Sequence, residues 1–211
     1  LDEDGNYQGF DVVVGNPPYV GHDQILSKKF FKSGYESFSA FIDLYCLFLE
    51  LGVKILSNSG VLSMIVSNSF LRSDYGAPLR KFLSKRVSII ALLDLKETKI
   101  FADATVNTTI VSYMKTYKKA GLAKVVSSSF SGNQSFNNFV NNNYFVYEQK
   151  EFEEEVWGLA SPEKTKLLKK IRAAGPSFED LETHIRLGLA TGSNQAFIID
   201  NDKKAELIAK D

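Results

Sequence analysis

The sequence is short of the residues that build covalent or metal-held frameworks. It has one cysteine, Cys46, and two histidines, His22 and His184, among 211 residues. An internal disulfide is excluded, and too few soft ligands exist for a structural metal cluster. Cys46 sits inside an apolar helical pattern, where a thiol acts as a small buried hydrophobe. With no signal-like segment at the start, the lone thiol points to a reducing cytoplasm. Long apolar runs are also missing. The longest, Phe41–Leu56, is interrupted by Asp43, Glu50 and Lys54, and a spanning helix needs about 18 uninterrupted apolar residues. No membrane segment is expected. Charge of one sign is lacking too, since Lys+Arg and Asp+Glu balance at 25 each. No whole-chain basic field attracts a polyanion, so any such contact falls to local clusters.

What is present is patterned. Hydrophobic residues make up 44% and charged residues 24%, which suits one sizeable globular domain or one domain plus part of another. Asp11–Gly15 is a short β-branched run and reads as a buried strand. Phe41–Ser57 reads as a largely buried helix, its polar residues confined to one narrow stripe, with Asn58-Ser59-Gly60 as its stop. Val61–Val66 is a second strand. Pro78 opens a helix that runs through Leu79–Arg86. Val87–Leu95, Thr108–Met114 and Lys124–Phe130 are three further strands. This alternation predicts an α/β layered domain with a largely parallel sheet. The strands on either side of residues 101–107 are candidates for an antiparallel pair. Gly132–Tyr144, rich in Asn and Ser, reads as a surface loop or irregular hairpin. Ser161-Pro162-Glu163 opens a helix that Gly175 stops, and Gly175-Pro176 reads as a domain joint.

The first strand runs directly into Asn16-Pro17-Pro18-Tyr19. Proline lacks an N–H and stiffens the loop, so the Pro17 carbonyl can be left pointing into a pocket at the carboxyl edge of the sheet. Asn16 sets a side-chain carbonyl beside it. Two adjacent acceptors can hold both hydrogens of a primary amine. Tyr19 offers a flat face on which a base can stack, worth about 1–3 kcal/mol. That set suits methylation of an aromatic amine, whose delocalised lone pair makes it a poor nucleophile. Acceptors on both hydrogens turn the lone pair toward the incoming methyl group, so positioning and electrostatics carry the rate.

The run Phe10–Tyr19 resembles the catalytic motif of the N6-adenine-specific DNA methyltransferases that carry Asn-Pro-Pro-Tyr. These include TaqI-type enzymes and the methylase part of Type IIG restriction-modification proteins. Leu44–Glu50 is similar to the family segment whose aromatic lies against the adenine ring of S-adenosylmethionine, with Phe48 at the matching position. Gly60–Asn68 resembles the strand that follows. Ile100–Val111 is similar to the segment whose aromatic packs on a flipped-out base, with Phe101 as the match. Residues 102–106 lack the lysine that some relatives carry there. The resemblance covers roughly residues 8–117. It implies Asn16, Pro17 and Tyr19 as catalytic residues, Pro18 and Phe48 at S-adenosylmethionine, and Phe101 at the substrate base, with no metal. Read from the pattern alone, Phe48 is equally a core aromatic and Phe101 a loop anchor.

The same resemblance implies the carboxyl-terminal half of a Rossmann-like class I methyltransferase sheet over residues 1–130. Residues 131–175 are then linker, loop and helix. Residues 176–211 open a target-recognition domain, because Ile185–Ile199 is similar to such an opening. The family's Gly-x-Gly cofactor turn is absent, since no two of the 14 glycines are so spaced. An upstream half of a longer protein is therefore the expected partner, double-stranded DNA the expected substrate, and the 211 residues alone are expected to be inactive. The half-sheet's open apolar face favours dimerisation. RNA-adenine or protein-glutamine methylation, or DNA recognition without catalysis, are the alternatives.

Arg80, Lys81, Lys85 and Arg86, and Lys164, Lys166, Lys169, Lys170 and Arg172, read as solvated helix faces, with phosphate contact the alternative. His22 reads as an incidental loop histidine close to the motif. Glu97-Thr98-Lys99 has an acid–x–Lys pattern but no convincing paired Asp, which argues against a nuclease site here.

Overall fold

The computed structural model describes residues 4–5, 8–100, 106–116, 121–153 and 156–176. The chain divides into two compact units, Leu1–Thr165 and Lys166–Asp211. Among the described residues the first holds six strands: β1 (Phe10–Gly15), β2 (Leu56–Ser67), β3 (Ser88–Asp94), β4 (Thr108–Met114), β5 (Leu122–Ser127) and β6 (Phe145–Glu148). Its helices are α1 (Lys28–Gly34), α2 (Leu44–Ile55), α3 (Ala77–Arg86) and α4 (Phe136–Asn143), and α5 (Pro162–Ala173) runs across the division. Within the second unit, the described residues are the rest of α5 and the turn that follows, where Leu167, Leu168 and Ile171 are exposed. No helix among the described residues is long and apolar enough to cross a membrane.

The strands form one sheet in the order β1-β2-β4-β3-β5-β6. The expected largely parallel sheet is instead mixed. β1–β2 and β3–β5 are parallel, whereas β2–β4, β4–β3 and β5–β6 are antiparallel. After β3 the chain returns beside the strand it has just left, with Asp94 opposite Thr109. That pair is the antiparallel candidate read from the sequence. Gly132–Tyr144, expected as a loop, contains α4. Asparagine is a poor helix former, but the Ser135 side chain caps the Asn138 amide, and Phe139 buries against Phe130 and Phe136.

The middle of the sheet is covered on both sides, which explains the near-continuous apolar strands there, whereas β1, expected to be buried, is largely exposed. Leu92, Val111 and Val125 join α2 and α3 in the main core, while their neighbours Leu93, Ile110 and Val126 pack with α4. α2 presses close to the sheet at Gly52. A Cβ there would collide with Leu62 and stand 2.7 Å from the Tyr113 hydroxyl. Asn58-Ser59-Gly60 does not end the helix as expected. α2 stops at Ile55 and these residues form an irregular stretch inside β2, across which the pairing jumps from Phe10↔Leu56 to Val12↔Val61. Only glycine fits at position 60, because a Cβ would sit 2.6 Å from the Phe10 carbonyl oxygen. At β3, Gln149 acts as a strand substitute. Its side-chain amide accepts from the Ile89 N–H (2.8 Å) and donates to the Ile89 carbonyl (2.7 Å). It does so just before β5 begins its pairing at Ala91.

A candidate methyl-transfer site at the carboxyl edge of the sheet

β1, β2 and β3 all end on one edge. Gly15 is paired with Met64 of β2, Ser67 with Thr108, and Asp94 with Thr109. Asn16-Pro17-Pro18-Tyr19 leaves β1 at that edge. Asn16 and Pro18 are exposed, and Pro17 is buried. Among the described residues no hydrogen bond reaches the Asn16 side-chain amide or the Pro17 carbonyl. Two acceptors are thus adjacent and uncommitted.

Tyr19 is 36% exposed. Its hydroxyl donates to the Ile65 carbonyl at 3.4 Å, a long contact, and partial burial pushes that hydroxyl's pKa up. Behind it lies Tyr45, with ring centroids 6.3 Å apart. Tyr45 is held in a directed chain. Its oxygen accepts from the Phe70 amide at 3.2 Å. Tyr75 spends its one hydroxyl proton on Asp43 Oδ2 at 2.9 Å, so in the 3.3 Å Tyr45–Tyr75 contact Tyr45 is the donor. Burial pushes both phenols up, so they stay protonated and able to donate. The Val20 carbonyl accepts from the Leu44 amide at 2.9 Å, which ties the loop to the start of α2. The buried Cys46 thiol, pushed well up by burial, packs here as a hydrophobe.

The other expected residues stand apart from this platform or beyond the described region. Phe48 is half-buried against the main core, one turn along α2 from Leu44 and on the same face. No ring contact joins it to Tyr19 among the described residues. Phe101 and His184 lie outside the described residues. His22 packs edge-on against Phe41 at 5.3 Å.

Sequence reading missed a polar cluster on the same edge. Asp94, fully buried at the end of β3, accepts at Oδ1 from Asn68 Nδ2 (2.9 Å) and from the Lys96 amide (3.3 Å). Its Oδ2 faces Lys96 Nζ at 3.1 Å and Arg72 Nη2 at 3.7 Å. The Asn68 amide also donates to the Asn107 carbonyl at 2.9 Å. The available signal was a carboxylate inside the apolar run Val87–Leu95, which at a strand end demands cations nearby.

Residues 2–101 match the Eco57I restriction-modification methylase family model. Over 90% of its length, the chain is 28% identical to the Type II methyltransferase M.BstVI of Geobacillus stearothermophilus, covering 37% of that protein. It is 26% identical to the Type II methyltransferase M.PaeR7I of Pseudomonas aeruginosa over 94% of the chain and 38% of the relative. The chain thus spans well under half the length of these relatives. Among solved structures, the methyltransferase subunit of the type I restriction-modification system of Streptococcus thermophilus superposes with a TM-score of 0.55. That match covers 76% of this chain and 40% of that one at 20% identity. It is a likeness of fold.

One of the basic residues read as solvated behaves differently. Arg80 is buried and donates to the carbonyls of Phe70 (2.6 Å) and Ser73 (2.8 Å), so it is a structural bracket beneath the turn that follows β2. Arg86 pairs with Glu36 at 2.9 Å, both exposed, a contact worth about 0–1 kcal/mol.

Proposed function

We propose that the longer protein to which this chain belongs transfers the methyl group of S-adenosylmethionine to N6 of an adenine extruded from double-stranded DNA, as part of a restriction-modification system. The observation that carries this reading is the pair of uncommitted acceptors, Asn16 Oδ1 and the Pro17 carbonyl, beside the Tyr19 ring at the carboxyl edge of the sheet. On this reading each acceptor takes one amine hydrogen, Tyr19 receives the face of the base, and Phe101 packs on its other side. The nitrogen lone pair is then directed at the methyl carbon. The N–C bond forms as the sulfonium S–C bond breaks, and the extra amine proton leaves to solvent. No covalent enzyme intermediate is involved, and positioning supplies the acceleration. An amine stacked in the duplex cannot be reached, so the base must leave the helix first.

S-adenosylmethionine supplies an electrophilic methyl group. Of the residues present, the exposed Pro18 and the half-buried Phe48 ring suit its adenosine part. The remaining contacts are assigned to an upstream segment of the longer protein, which would also add strands beside β1. Residues beyond 176 are assigned to the opening of a target-recognition domain.

The test uses the complete protein. It is incubated with plasmid DNA and labelled S-adenosylmethionine, and the digested nucleosides are analysed by mass spectrometry. N6-methyladenine is expected, and Asn16→Ala should abolish it while DNA binding persists. Label in RNA or in glutamine side chains would overturn the DNA assignment. Methylation unchanged in Asn16→Ala would remove the catalytic role of Asn16.

A further inference from the structure

We infer that Arg72 and Lys96, seated on the buried carboxylate of Asp94, form a phosphodiester-binding clamp beside the base pocket; this rests on the DNA reading above. Both residues stand at the edge that carries Tyr19. Arg72 follows the 3-10 turn Asn68–Leu71 at the end of β2, and Lys96 follows the end of β3. The Tyr19 hydroxyl touches β2 at Ile65, and β3 lies two strands further across the sheet, beyond β4. Two strand spacings are about 10 Å. That is within reach of the backbone of the nucleotide whose base rests on Tyr19, or of its neighbour.

The charges do not cancel. A fully buried carboxylate requires compensation, and Asp94 receives it from Lys96 Nζ at 3.1 Å, with Oδ1 satisfied by two N–H donors. One cation neutralises it. Arg72 is a second cation on the same carboxylate. At 3.7 Å its guanidinium is beyond hydrogen-bonding distance. Half of the side chain is exposed, and among the described residues none accepts a hydrogen bond from it. The cluster therefore presents one net positive charge and a planar fork of unused donors, the geometry that matches phosphate oxygens. Lys96 is placed with care. Its backbone is left-handed, at φ 51°, which side-chain-bearing residues seldom adopt. It is held there by its own amide on Asp94 Oδ1 and by the turn in which the Thr98 amide donates to the Leu95 carbonyl at 3.1 Å.

Other basic residues of the described fold lack this arrangement. Lys81, Lys85 and Arg86 line a groove on α3 together with Glu36, Asp74 and Glu153, a mixed field that does not favour a polyanion. The clamp is also tied to the site mechanically. Asn68 links Asp94 to Asn107, so the carboxylate that seats the two cations anchors both stems of residues 95–107. Those residues include Phe101. A phosphate bound here would fix the strand's register while carrying no sequence information.

The experiment measures binding of the complete protein to a fluorescent duplex at several salt concentrations, for wild type, Arg72→Gln, Arg72→Lys and Arg72→Gln/Lys96→Gln. S-adenosylmethionine binding, kcat and KM for DNA, and thermal melting are measured alongside. Removing the uncompensated charge of Arg72 should lower the slope of log affinity against log salt by about 1, and the double variant should lower it at least as much. KM for DNA should rise about tenfold or more, with S-adenosylmethionine affinity unchanged. Arg72→Lys should keep the slope. An unchanged slope in the double variant overturns the clamp, as does a fall in melting temperature with the slope intact, the mark of a purely structural pair. If the double variant does not fold, Arg72→Gln decides alone, because Lys96 still neutralises Asp94. Wild-type protein that neither binds nor methylates DNA overturns the site reading and the clamp together. Wild-type protein that does both, with slope-neutral variants, overturns the clamp only.

Discussion

Tyr19 leans on Tyr45, with ring centroids 6.3 Å apart and planes inclined at 38°. The residue proposed to meet the substrate base therefore rests on a second aromatic whose own hydroxyl is fixed by Phe70 and Tyr75. A stacking face is useful only if it does not move with its loop. Here the support is a buried side chain rather than the loop backbone.

This gives a prediction that separates ring from hydroxyl. The proposed role of Tyr19 lies in its ring, and its hydroxyl's contact to the Ile65 carbonyl is long, at 3.4 Å, so Tyr19→Phe should keep kcat/KM of the complete protein within a few-fold. Tyr19→Ala removes the stacking face and should cost about 1–3 kcal/mol, roughly a 5- to 150-fold loss. Equal losses in the two variants would show that the hydroxyl, and not the ring, matters.

A stability prediction follows from Gln149. Its amide satisfies both the N–H and the carbonyl of Ile89 in the buried interior. Gln149→Leu leaves both backbone groups without partners. Each orphaned buried group costs about 1–3 kcal/mol, so chemical denaturation should show a loss of about 2–5 kcal/mol. A loss below 1 kcal/mol would mean that water or a shifted strand replaces the amide.

Glu50 predicts a pH dependence. Its side chain is fully buried and accepts from the amides of Glu36 (3.0 Å) and Ser37 (2.7 Å) and pairs with Lys54 (2.8 Å). Burial pushes the carboxyl up, but Lys54 and those donors outweigh it and hold the pKa below its ordinary value of 4.5. A carboxyl with a depressed folded pKa adds stability that is fully present above the unfolded pKa. That contribution is lost as pH falls through the folded value. Denaturation midpoints should accordingly drop as pH falls below about 4.5, and Glu50→Gln should flatten that part of the profile while lowering stability at neutral pH. A Glu50→Gln profile parallel to wild type would sink the assignment.

Much of this was legible from local pattern. Thr108–Met114 forms the strand its residues specify, and Asp11–Gly15 is a strand that runs into the proline loop, though an exposed one and not the buried one expected. What stayed hidden depends on distant pairing. Whether β3 and β4 run parallel is decided by how residues 95–107 return, which no period in the strands records. α4 escaped because asparagine-rich composition outweighed three aromatic and aliphatic positions, Phe136, Phe139 and Val140, that share a face at i, i+3 and i+4. The Asn68–Arg72–Asp94–Lys96 cluster escaped because its members come from two strand ends that the fold alone brings together. Arg80 misled because charge was read as exposure, while its guanidinium is spent on two backbone carbonyls.

The last prediction concerns β1. It is the terminal strand of the sheet among the described residues, and it exposes Phe10 (55%), Val12 (66%) and Val14 (77%). An apolar strand at a sheet's edge is a template for another strand. The 211-residue chain on its own should therefore self-associate, seen by sedimentation velocity as a concentration-dependent shift away from monomer. A Val12→Lys/Val14→Lys variant should shift it back, because edge lysines oppose strand addition. In the complete protein, where the proposed upstream segment covers β1, the same two lysines should instead destabilise the fold. If the isolated chain stays monomeric at high concentration, β1 is not the adhesive surface its exposure indicates. If the lysines leave the complete protein's stability unchanged, nothing packs on β1 there, and the proposal of an upstream segment beside it fails.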